Sequence, residues 1–337
     1  MTDNWNMLGH EWAVAMLQHQ IAQGSARHAY LFTGPPGVGR RTLSLRFAQA
    51  LNCTQPIQPG IPCGGKCRDC NQIEAMQHPD LTIVQADSIG GTLKVDQVRA
   101  ARRTMTLKPF QSKYRLAIFL RFQEAHDSAA NALLKTLEEA PSYVVLILTA
   151  DNTEQLLPTI VSRCEVLHLR PLSLQTVESF LEQKAAKDNL GEPDTRLISH
   201  LSGGRPGYAL RLLQDPAALA FRGQKLDDLL SLLSASRQRK FSYAEKLAGD
   251  KDGLRSALML WLSFWRDVLL RASGASGTAA PLANIDHTRE IESLANHVSL
   301  SEARKLVSAL EKALERQEAN VNARLLAEVL LLDWPTV

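Results

Sequence analysis

The sequence predicts an α/β domain on a doubly wound parallel sheet, followed by segments that are helical throughout. Three observations lead there. Strand-sized apolar runs alternate with amphipathic helical patterns up to Pro171, as the crossover connections of parallel strands require. A glycine loop, Gly34-Pro-Pro-Gly-Val-Gly39, lies between the first of these runs and a long helical pattern. Beyond Pro216 no strand pattern recurs, and apolar residues repeat at helical spacing alone.

Taken in order, Trp12, Val14, Met16, Leu17 and Ile21 mark a helix over residues 11–23. His28–Thr33 reads as a short buried strand ending at the glycine loop, and Leu43, Leu45, Phe47, Ala48 and Leu51 continue as a helix. Strand, glycine loop, helix is the context a phosphate-binding loop needs. Residues 52–70 are rich in Cys, Pro and Gly and form an insertion without an apolar core. Leu81–Val84, Leu116–Leu120 and Tyr143–Thr149 are further strands. Val95–Met105 and Ala129–Ala140 are helices, the second stopped by Pro141. Leu174–Lys187, Thr195–Ser202 and Gly207–Leu213 predict three short helices. Ala217–Ser234, Ser242–Leu247, Leu254–Arg271, Arg289–His297 and Ser301–Leu332 predict five more, with Ala272–Ala283 as a loop.

At 337 residues the chain can form two or three domains, each with its own core. A net charge of +3 does not by itself announce nucleic-acid binding. The polar start Met1–Asn6 predicts no signal peptide, and the longest apolar run is strand-sized, so no membrane span is expected and the protein reads as cytoplasmic. Four of the five cysteines crowd between residues 53 and 70, which favours a metal over disulfides.

An active phosphate loop reads G-x-x-x-x-G-K-[S/T], with Lys on the β- and γ-phosphates and a hydroxyl on Mg²⁺. Here Gly34, Gly37 and Gly39 keep the loop, Arg40 takes the Lys place and Arg41 the hydroxyl place. Thr42 comes one residue late, turned by about 100° on the helix. Such an enzyme also needs an acidic pair at the end of a neighbouring strand. None occurs between residues 110 and 123, and Glu124 is the first carboxylate after Leu116–Leu120. Cys53, Cys63, Cys67 and Cys70 have spacings that suit tetrahedral Zn²⁺, and four sulfurs leave no open position, so the site is expected to be structural. Arg163 reads either as a surface ion-pair partner or as an arginine finger reaching a neighbouring subunit's ATP. His78-Pro79-Asp80 reads as a turn into the next strand. Arg99, Arg102, Arg103, Lys108, Lys113 and Arg115 form a basic stretch, read as a solvated face or a DNA-backbone contact.

These motifs, in this order, resemble the bacterial clamp-loader family of AAA+ proteins: the segment His28–Gly39, the cysteine cluster, His78-Pro79-Asp80, Ala129–Glu139 with its Ala-Leu-Leu-Lys-Thr-Leu-Glu core, and Ser162-Arg163-Cys164. The likeness covers residues 1–215 strongly and extends more weakly to the last helix. Arg40, Arg41 and the missing acidic pair match the non-hydrolysing branch of the family. The resemblance implies an AAA+ domain at 1–171 with a zinc module at 52–71, a three-helix lid at 172–214 and a helical oligomerisation collar at 215–337. It further implies a place beside gamma/tau and delta subunits in a hetero-pentamer that loads a sliding clamp on primed DNA, within a DNA-directed DNA polymerase holoenzyme. ATP would not be hydrolysed by this chain, Arg163 would be a finger acting in trans, and Thr149 would stand at the family's sensor position. A second sensor Arg would fall where Gly207 stands, with Arg205 two residues early. Two other readings remain: an active ATPase of the gamma/tau type, and a zinc-dependent DNA-binding module.

Overall fold

The computed structural model of the chain describes residues 4–335, apart from 89, 192, 275–280 and 319–320. It divides into two compact units, residues 1–173 with 205–208, and residues 174–204 with 209–337.

In the first unit, helix α1 (Glu11–Ala22) precedes strand β1 (Ala29–Thr33) and helix α2 (Arg40–Asn52). Then come α3 (Arg68–Glu74), β2 (Leu81–Val84), α4 (Val95–Met105), β3 (Arg115–Phe119), α5 (Asp127–Glu138), β4 (Val144–Ala150), α6 (Pro158–Val161) and β5 (Glu165–His168). The five strands are parallel, in the order β2-β3-β4-β1-β5. Every residue of β1, β3 and β4 is buried, which is why these segments read as unbroken apolar runs. Strand alternation divides them between two cores. Tyr30, Phe32, Ile118 and Ile147 pack with Phe47, Trp5 and Leu17 on one face of the sheet; Leu31, Phe119, Leu146 and Leu148 pack with Leu133 and Leu137 on the other.

Three elements of this unit are absent from the sequence expectation. Helix α3 begins inside the cysteine-rich insertion, where Cys67 supplies the cap by accepting from Cys70 N. The edge strand β5 and the one-turn α6 carry too few apolar residues to show a period. β5 is positioned by β1, whose other edge it completes.

The second unit contains α7 (Leu174–Asp188) and α8 (Thr195–Ser202). Helix α9 (Pro206–Gln214) starts in the first unit and continues into the second. The rest is α10 (Pro216–Leu233), α11 (Arg237–Ala248), α12 (Lys251–Ala272), α13 (Thr288–His297), α14 (Leu300–Glu318) and α15 (Ala323–Leu332). No strand occurs in this unit among the described residues, as expected. The pattern read as one helix over Ser301–Leu332 is two. Asn322 caps the second, its Oδ1 accepting from Arg324 N at 3.0 Å and Leu325 N at 3.1 Å, and apolar spacing alone does not register such a restart. Part of the loop expected at Ala272–Ala283 lies outside the described residues. The core gathers Trp261, Trp265, Leu310, Leu331 and Trp334. Trp261 meets Trp334 edge-on at 5.0 Å and donates to Lys225 O at 2.9 Å, so its one polar atom is satisfied inside the core. No helix among the described residues is long and apolar enough to cross a membrane.

Candidate functional site

The glycine loop connects β1 to α2, and its three glycines all have positive φ, at 142°, 86° and 119° for Gly34, Gly37 and Gly39. At Gly34 a Cβ would lie 2.3 Å from the Leu169 carbonyl oxygen, and at Gly37 it would lie 2.9 Å from Tyr208 N. The glycines are therefore retained by backbone geometry and packing, independently of any phosphate. Arg40, the first residue of α2, is buried, and its Nη2 lies 2.7 Å from Asp151 Oδ1. Asp151 follows directly on β4, and its carbonyl accepts from Gly34 N at 3.1 Å. Arg41 and Thr42 are exposed, and Arg41 touches Met76 Sδ. The structure thus gathers Gly34, Gly37, Gly39 and Arg40 at one turn and leaves the side chains of Arg41 and Thr42 outside it.

Thr149 lies on the neighbouring strand and is buried. Its Oγ1 accepts from Arg121 N at 2.9 Å, holding the end of β3 to β4. Arg121 adopts a left-handed conformation and pairs through Nε with Glu124 Oε1 at 2.8 Å. That same oxygen accepts from Gly90 N at 3.0 Å. Glu124, the first carboxylate after β3, thus has its Oε1 taken by the chain's own cation.

Arg163 lies between α6 and β5, at the edge of the sheet. Its Nη2 contacts Glu138 Oε1 at 2.6 Å and its Nη1 donates to Thr159 O at 2.9 Å. Both partners of the pair are partly exposed, so the guanidinium is held at the surface and open to exchange. Cys164 beside it is outside the cysteine cluster, and burial pushes its thiol up to about 12.

The Sγ atoms of Cys53, Cys63, Cys67 and Cys70 all lie within 4.8 Å of one another. The Cys53–Cys67 sulfur separation of 3.9 Å is close to the ~3.8 Å edge of a tetrahedron with metal–sulfur bonds of ~2.3 Å. Main-chain N–H groups already point at sulfurs: Cys63 N to Cys53 at 3.3 Å, Cys67 N to Cys63 at 3.2 Å and Cys70 N to Cys67 at 3.4 Å. Burial opposes ionisation of Cys67, but the Cys70 N–H and Thr54 donors outweigh it and bring the thiol down to about 6; burial drives Cys70 the other way. The donor set fits a metal ion such as zinc, with all four positions filled by sulfur.

Residues 9–173 match the family described as DNA polymerase III, delta subunit, and residues 217–336 match its C-terminal counterpart. The DNA polymerase III subunit delta′ of Pseudomonas aeruginosa is 30% identical over 97% of this chain and 97% of its own length. The chain belongs to the clamp-loader delta-prime family of DNA polymerase III. Subunit delta′ of Bacillus subtilis is 27% identical over 94% of this chain and 93% of its own. Subunit tau of Escherichia coli, 30% identical, aligns with 63% of this chain and only 33% of its own.

In this delta-prime family member, sequence reasoning missed the groups that restrain the site residues. Nothing in the sequence links Asp151 to Arg40 or Glu138 to Arg163, and only the sheet and the α5 edge bring them together. His78-Pro79-Asp80 is more than a turn. His78 Nε2 is 3.1 Å from Asp69 Oδ1 in the cysteine module, and Asp80 accepts from the N–H groups of Phe110, Gln111 and Ser112 at 2.6, 2.9 and 3.0 Å. Arg115 Nη2 stands 3.4 Å from Asp80 and is buried, so it is not part of any exposed basic surface. Arg102 donates to Ala132 O, while Arg99, paired with Asp96 at the surface, stays exposed together with Arg103, Lys108 and Lys113.

Burial disfavours the Asp80 charge, but the three N–H donors and Arg115 hold its carboxyl below the usual carboxylate range. A depressed folded pKa contributes stability above the unfolded value of about 3.9, lost as pH falls through the lower folded value. Asp80→Ala is expected to cost about 3–5 kcal/mol, because it strands a buried guanidinium. Denaturant melts at pH 7 and pH 3 check this: the wild-type advantage should shrink at the lower pH.

Proposed function

We propose that this chain is the non-hydrolysing, delta-prime-type subunit of a clamp loader, a structural partner that supplies Arg163 in trans to a neighbouring ATPase. The observation that carries the reading is the Arg40–Asp151 pair. The cation at the lysine place of the loop is buried and neutralised within the chain, while the hydroxyl place holds an exposed arginine. With Glu124 bound to Arg121 as well, the loop lacks the amine, the Mg²⁺-binding hydroxyl and the free carboxylate that phosphoryl transfer uses.

In this reading gamma/tau and delta subunits complete a hetero-pentamer that acts on a sliding clamp and primed DNA. Residues 1–171 serve as the AAA+ domain, 172–214 as a lid and 215–337 as the collar. Leu325, Val329 and Leu332 on α15 are exposed, an apolar stripe that adjacent collar helices would cover. The four cysteines hold a structural zinc ion; the ion steadies the module and takes no part in chemistry.

The test is turnover. The purified chain with ATP, Mg²⁺ and primed DNA is expected to release no phosphate above background, while adding it to the partner subunits raises their clamp-loading rate. Steady turnover of about one per second by the chain alone overturns the proposal.

A further inference from the structure

The register of β1 and β4 sets Thr33 opposite Ala150, so the next residues of the two parallel strands, Gly34 and Asp151, stand side by side at the mouth of the loop. Asp151 grips both ends of that loop. Its carbonyl takes the Gly34 N–H, and its carboxylate takes the Arg40 guanidinium at the start of α2. Arg40 is buried and meets Asp151 as an ion pair; neither Asp151 Oδ1 nor the other terminal nitrogen of Arg40, Nη1, has a hydrogen-bond partner among the described residues. Asp151 is the one carboxylate paired with it among those residues. The crest of the loop is also covered, since Gly207 N donates to Gly37 O at 2.8 Å and Tyr208 N stands where a Gly37 side chain would reach.

We propose that Asp151 is the resident anion of this loop, and that it excludes nucleotide phosphates by holding Arg40 and by setting a negative charge where they would arrive. The inference rests on the non-hydrolysing reading and deepens it: silence comes from occupancy, in addition to the missing amine and hydroxyl. A phosphate group entering the loop would have to displace the carboxylate from Arg40 and then lie beside it as a like charge. Guanidinium suits phosphate as well as carboxylate, so Arg40 alone would not forbid binding.

Fluorescent ATP with Mg²⁺, titrated into the full chain, tests this. R40K/R41T restores the loop consensus and is expected to bind weakly, with Kd in the millimolar range. Adding Asp151→Asn is expected to tighten binding at least 100-fold, whereas adding Asp151→Glu, which keeps the charge, leaves it weak. In the parent background, Asp151→Asn alone should gain Mg²⁺-independent binding of inorganic pyrophosphate, because Arg40 is then free. Tight binding by R40K/R41T with Asp151 intact overturns the proposal, as does equal binding by the Asn and Glu variants. Should Asp151→Asn fold poorly, Asp151→Ser, which also removes the charge, takes its place in the same titrations. None of these outcomes depends on Arg163, so failure here is separable from failure of the trans-acting role.

Discussion

Arg163→Ala is expected to leave the reconstituted complex assembled while slowing ATP hydrolysis at the neighbouring site by on the order of 10³. The position permits this separation. Arg163 lies at the sheet edge with its side chain 35% exposed, and its ion pair with Glu138 is 48% exposed on the acidic side. An exposed pair of this kind contributes at most about 1 kcal/mol, so removing it should barely shift the melting temperature. The same weakness lets Arg163 leave Glu138 when a more strongly charged triphosphate approaches. Glu138→Gln should accordingly preserve hydrolysis, whereas Arg163→Lys should recover little, because an ammonium lacks the planar fork. Single-turnover measurements on the assembled complex give the rate, and gel filtration confirms assembly. Unchanged hydrolysis by Arg163→Ala removes the finger role.

Loss of the metal is expected to have the largest effect on folding. One zinc ion per chain should be found by elemental analysis, and Cys67→Ser with Cys70→Ser should abolish it. Structural zinc sites supply on the order of 10 kcal/mol of apparent binding energy, and this module has little apolar core to replace it. The damage should spread inward along named contacts. Gln49 Nε2 on α2 donates to Cys70 O at 2.8 Å, the Gly60 carbonyl accepts from Trp5 Nε1 at 2.9 Å, and Asp69 bonds His78 beneath β2. Hydrogen exchange should therefore quicken around Trp5, in α2 and in the turn before β2, with the helices beyond Ala209 unaffected. Because the buried thiols must lose protons to bind, chelator stripping should accelerate as pH falls. A double variant that melts like the parent would show the ion to be dispensable.

Much of the fold was legible because its elements announce themselves locally. β1, β3 and β4 are buried on both faces and read as continuous apolar runs; the helix expected over Val95–Met105 is α4, which buries Val98, Ala101 and Met105. The misses share a physical cause. β5 is an edge strand with only Leu167 fully buried, so burial leaves little mark on its composition. The break before α15 is set by one capping asparagine, and the polar residues ahead of it read equally well as the solvent face of a continuous helix. A count of charges cannot tell Arg115, a cation paired with buried Asp80, from one facing water.

What the sequence by itself determined is the chemical inventory: a glycine turn without amine or alcohol, four thiols spaced for one ion, and an α/β segment ahead of an all-helical one. What only the tertiary structure decided is which charges meet. Asp151 holds Arg40, Glu138 holds Arg163, and Asp80 holds a loop and Arg115 together. The reason is that parallel strands adjacent in space are distant along the chain, joined by crossovers whose order no local pattern records. Side-chain chemistry is written residue by residue, but electrostatic pairing follows from sheet order and register.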